Sequence, residues 1–214
     1  MRTRLSPLIV PLLCLLLSRQ ACATEEKITP TAESKHETSA EAPFGLKWGM
    51  KEEDAMAGGI TLVDISKPGD GKGFTATGLS KTLSDTGVVF LNFGYDDKLW
   101  LIVAVSKSFT NDPYGTAVSA RYNELSSLLE KKYGKGEVRH INDQRLYTRA
   151  DEFLAGIKNG RTLHFTTFKN QRIYIELSIG AESYDSGYYK IRYENTELGK
   201  EYEKSKKTNE KDAL

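Results

Sequence analysis

"FLNFGYDDKLWLIVAV", residues 90–105, places two apolar runs on either side of the polar segment Gly94-Tyr95-Asp96-Asp97-Lys98. Strand-forming residues flanking a turn-forming cluster are the composition of a β-hairpin. In the second run Leu99, Leu101, Val103 and Val105 would point one way, and Trp100, Ile102 and Ala104 the other. A strand apolar on both faces must be covered on both faces. The cover is either a helix of the same chain or a partner protein.

Working outward, "FTTFKNQRIYIELSI" at residues 165–179 lies over the first hairpin: Phe-x-x-Phe, a polar turn, then an apolar strand with an aromatic second. Each hairpin follows a helical pattern. "KEEDAMAGG" (51–59) has Glu52, Glu53 and Asp54 at the positive end of a short helix and Gly58-Gly59 to stop it. Asp112 can cap, and Pro113 open, a helix that runs to Tyr133 and ends at Gly134. Val118, Tyr122, Leu125 and Leu129 fall on one stripe of it.

Further strands are expected at 60–65, 74–79, 137–141 and 146–148, and in "RTLHFTTF" and "GYYKIRYE". "DEFLAGIKNG" reads either as a short helix or as a hairpin turning at Asn159-Gly160, with helix preferred. The predicted class is α+β: an antiparallel sheet with helices packed on one face, as two tandem helix-then-meander units at residues 43–110 and 111–195. A polar terminal helix or tail follows at 196–214.

The chain opens "MRTRLSPLIVPLLCLLLSRQACATEEK": two arginines, an apolar stretch, then Ala21-Cys22-Ala23. That is the pattern of a cleavable secretory signal over residues 1–23. Lipidation at Cys22 is the alternative, which Arg19 disfavours. Residues 24–42, rich in Glu, Thr, Ser and Ala, form a leader with too little apolar surface to fold. Both cysteines, Cys14 and Cys22, lie in the signal, so the mature chain has no thiol chemistry. A cysteine-free exported domain points to the periplasm. Loss of Arg2, Arg4 and Arg19 leaves 27 basic against 29 acidic residues, net −2, with no basic block of the kind nucleic acid requires.

"FGLKWGMKEEDA", "YNELSSLLEKKYGKG" and "YYKIRYEN" resemble segments of a loosely defined group of bacterial envelope proteins with a Gly-x-x-Trp-Gly-Met opening. The order of elements is similar to the tandem helix-plus-sheet architecture of beta-lactamase inhibitor proteins and, in one copy, to small outer-membrane assembly lipoproteins. The resemblance implies a fold and carries no catalytic residue. Lys51 departs from it, standing where a capping Ser or Thr is expected.

The chemistry-bearing residues are sparse. There is no Gly-x-Ser-x-Gly, and His36, His140 and His164 have no metal-ligand spacing. "KPGDGKGF" fails the phosphate-loop spacing and reads as a hairpin loop; "YDD" supplies too few oxygens for calcium and reads as a turn. No cofactor and no metal is expected. Trp48 reads as a packing anchor between leader, helix and sheet.

What remains is surface. Tyr174, Tyr188, Lys190 and Arg192 would share one sheet face, with Trp100 on the doubly apolar strand, and tyrosine with arginine is typical of protein-binding hot spots. The sequence therefore predicts a non-enzymatic, periplasmic protein-binding module, an inhibitor or envelope accessory. A small-ligand binder with an aromatic cleft between the meanders is the alternative, and a carboxylate-dependent hydrolase the third reading.

Overall fold

The computed structural model describes residues 41–67, 70–142 and 149–214. The signal, the leader to residue 40 and the strand expected at 146–148 lie outside them.

Among the described residues eight strands form a single antiparallel sheet in the order β1-β2-β3-β4-β8-β7-β6-β5. β1 (Thr61–Asp64), β2 (Lys72–Thr77), β3 (Thr86–Phe93) and β4 (Leu99–Ser106) make the first meander, preceded by the short helix α1 (Glu52–Ala57). α2 (Thr116–Tyr133) then leads to β5 (Glu137–Asn142), α3 (Phe153–Lys158), β6 (Thr162–Lys169), β7 (Ile173–Ala181) and β8 (Gly187–Asn195). α4 (Thr196–Asp212) closes the chain. β4 pairs with β8, Ala104 opposite Ile191. That order is what two helix-then-meander units give when their last strands join.

Local chemistry accounts for the boundaries. α2 opens at Thr116 behind an N-cap at Gly115, three residues later than the Asp112-Pro113 start expected, but the Asp112 carboxylate still accepts the Ala117 N–H of its first turn at 2.6 Å. Lys51 cannot accept a capping bond, but its own N–H donates to Asp54 Oδ2 at 3.2 Å, which secures half of a capping box. The ambiguous 151–160 segment is helical, because Leu154 and Gly156 bury against the sheet while Asn159-Gly160 end the turn. At Gly160 the backbone takes φ 67°, which only glycine adopts without cost.

One face of the sheet holds the core. Ile175, Leu177 and Ile191 are fully buried there beneath the α2 stripe Val118, Tyr122, Leu125 and Leu129, and Leu91 and Ile102 are fully buried on the same face of the first half. α1 contributes Ala55 to the same core, and α3 contributes Leu154. Trp48 is 6% exposed within it. Its neighbour Gly49 donates to the Leu99 carbonyl, and Leu99 donates back to the Met50 carbonyl, both at 2.9 Å. Trp48 is the packing anchor that its position suggested. Among the described residues no helix is long and apolar enough to cross a membrane.

Candidate functional site

The second face of the sheet is where the predicted contact residues lie. Side chains alternate along a strand, so the buried positions of β8, Tyr189, Ile191 and Tyr193, leave Tyr188, Lys190, Arg192 and Glu194 on the opposite side. The register aligns these with β7: Glu176 faces Arg192, Ser178 faces Lys190, and Tyr174 faces Glu194. On the other flank Lys190 faces Val105, Arg192 faces Val103, and Glu194 faces Leu101. Val103 in turn pairs with Phe90, and Val105 with Val88. All of these side chains are half-buried.

The result is a graded surface. Valines and Phe90 of β3 and β4 form an apolar half, and tyrosines with charged residues of β7 and β8 form the other. Arg192 Nη2 donates to Glu194 Oε2 at 2.8 Å, so that pair is internally neutralised. Lys190 has no ion pair among the described residues. Burial pushes the Tyr174 hydroxyl above its usual range, with the Glu176 carboxylate adding to it, so it remains a neutral donor and acceptor.

Tyr188 is held by an unusual neighbour. It pairs with Gly180, and a Cβ there would sit 2.4 Å from the Tyr188 ring. The ring therefore lies across the bare glycine backbone. A cleft of about 460 Å³ opens beside it, with Phe165, Glu176 and Lys190 on its walls.

Trp100 does not belong to that open surface. Leu99 pairs with Phe93 and Leu101 with Asn92, so Trp100 is the extra residue of a β-bulge. The bulge turns Leu99 into the core and sends Trp100 under α4. Tyr202 of α4 stacks on it at 4.4 Å between ring centroids, and on Tyr95 at 5.5 Å. Trp100 is left 6% exposed. The doubly apolar strand thus takes its second cover partly from its own chain: α4 crosses one end of the face, from Gly199 beside the Glu194 carboxylate, through Tyr202 on Trp100, to Lys206 at Asp70. Four of the five predicted residues share the open face, and the fifth is covered.

Two groupings escaped the linear reading. His140 and His164 are cross-strand partners on β5 and β6, with their Nδ1 atoms 2.9 Å apart. Burial, then His140, lowers the His164 pKa from its usual value. Their 24-residue separation hides this pair from any motif; only the register reveals it. Among the described residues no cluster of three or more His, Cys, Asp or Glu has metal-holding geometry.

The second grouping joins the two halves. Asp85 accepts from Arg121 Nε at 2.8 Å, from Arg121 Nη2 at 3.1 Å and from the Tyr189 hydroxyl at 2.7 Å. Burial would raise the Asp85 carboxyl, but these donors outweigh it and hold the pKa below the usual carboxylate range. A search for related sequences and folds finds no matching protein family, curated protein or solved structure.

Proposed function

We propose that this chain is an exported, non-catalytic protein-binding module of the bacterial periplasm, and that its contact surface is the open face of β3, β4, β8, β7 and β6. One observation carries the reading. Half-buried Phe90, Val103 and Val105 adjoin Tyr174, Tyr188 and Lys190 on a surface that α4 crosses at one end. Contiguous apolar surface rimmed by polar groups marks an interaction site, and tyrosine anchors concentrate binding energy.

The chemistry of the face describes the partner. Its surface is apolar opposite Phe90 and Val103, and it brings a carboxylate to Lys190, the ammonium that lacks an ion pair among the described residues. The two tyrosines supply large contact area at low entropy cost.

Site-specific photo-crosslinking tests this in cells. A photoreactive residue at Phe90 or Tyr188 gives a discrete protein adduct that disappears in Lys190→Glu, while the same residue at Lys131, on the exposed side of α2, gives none. Equal adducts from Lys131, or none from the open face, would overturn the proposal.

A further inference from the structure

The opposite side of the molecule carries a second opening, where the two halves meet on the helix face. A groove of about 270 Å³ runs between α2 and the segments around Phe44 and Leu83. Leu125, Leu128 and Leu129 form one wall, and Ile191 and Tyr193 the floor. Leu128 is 50% exposed, although it faces an apolar space.

Two aromatic side chains shape the groove. Phe44 has φ 63°, the left-handed region that a bulky aromatic residue avoids, and that bend brings its ring edge-on to Tyr193 at 6.1 Å. Strain of this kind concentrates at ligand clamps. Tyr193 is only 7% exposed, and its hydroxyl, which makes no hydrogen bond among the described residues, remains accessible at the groove. At the mouth stand Lys81 and Lys132, neither with a carboxylate partner among the described residues; Lys132 lies over the Tyr133 ring at 5.2 Å.

We infer that this groove binds a small anionic amphiphile, a straight-chain acyl carboxylate, with the tail against Leu128, Ile191 and Phe44 and the head group near Lys132 and the Tyr193 hydroxyl. The apolar walls select the tail, and the two ammoniums select the sign of the head. This site is separate from the open sheet face and stands or falls independently of it.

Isothermal titration of the full mature chain with decanoate tests the inference, with decyltrimethylammonium as the probe of equal tail and opposite charge. Decanoate is expected to bind saturably at one per chain, and the cation not to bind. Lys132→Glu is expected to weaken decanoate about tenfold, and Leu128→Glu to abolish binding. Both positions are solvent-facing, so the variants fold, as an unchanged thermal midpoint will verify. Tyr193→Phe retains the ring and is expected to weaken binding about tenfold through the lost hydrogen bond to a charged group. Absence of decanoate binding, equal binding of the two amphiphiles, or binding unaffected by Leu128→Glu and Lys132→Glu would each overturn it.

Discussion

At Gly180 a single absent Cβ sets the posture of Tyr188. An alanine there would press on the far end of the tyrosine ring at 2.4 Å, a group that can swing away, and Gly180 is not among the positive-φ glycines. Gly180→Ala is therefore expected to change stability by less than about 1 kcal/mol while displacing Tyr188. The photo-crosslink yield at Phe90 would fall with an unaltered urea midpoint. A loss of more than about 2 kcal/mol would show instead that the ring is locked. His164 supports a second expectation at this scale. Its pKa is lowered in the fold, so the unfolded chain takes up the proton more readily. The stability it contributes is complete above the unfolded value of about 6.5 and is lost as pH falls through the lower folded value. Thermal midpoints should decline below about pH 6.5 in the native chain and decline less in His164→Gln; parallel profiles would refute this.

At the scale of elements, α4 is the piece whose role is least evident from its composition. Asn195 caps it, accepting the Glu197 and Leu198 N–H groups at 3.1 Å each, and Tyr202, stacked on Trp100 and Tyr95, and Leu198, packed against the core, attach it to the sheet. Ion pairs Lys98–Glu201 and Lys206–Asp70 flank that stack on exposed surface and add little. Tyr202→Ala is expected to cost about 1–2 kcal/mol and to open Trp100 to acrylamide quenching, leaving Trp48 shielded. Unchanged quenching would mean that α4 stays seated without the ring. This also marks how far a linear reading reaches. Periodicity found the α2 stripe, the two hairpins and the alternation that puts Tyr174, Tyr188, Lys190 and Arg192 on one side, because each depends on neighbours a few positions apart. It read residues 196–214 as a polar terminal helix or tail but not where it docks, since nothing local shows one tyrosine meeting Trp100 about a hundred residues away. The same limit hid the His140–His164 pair, and it hid the bulge at Trp100, which is a property of β3 and β4 together.

Across the whole molecule, the junction of the halves depends on more than the β4–β8 ladder. Asp85 precedes β3 in the first half, whereas Arg121 on α2 and Tyr189 on β8 belong to the second, and Arg121 also reaches Glu124 at 2.7 Å. The clasp is partly buried: the two side chains of the Asp85–Arg121 pair are 23% and 20% exposed. Screening by solvent is thus incomplete, and the bond geometry is close to bidentate, which favours a real contribution. Removing one partner is costly because the other remains half-buried with its charge unmet. Arg121→Ala is expected to destabilise by about 2–3 kcal/mol, whereas Asp85→Asn with Arg121→Leu together should cost less than the two single changes added. The pH dependence has a definite sign: with its folded pKa lowered, Asp85 stabilises fully above the unfolded value of about 3.9, and that contribution disappears as pH falls through the folded value. Urea midpoints at pH 7 and pH 3 measure both effects. Native protein should lose more stability between the two than Asp85→Asn does, and additive single and double changes would show that the halves are held by the strands and the shared core alone.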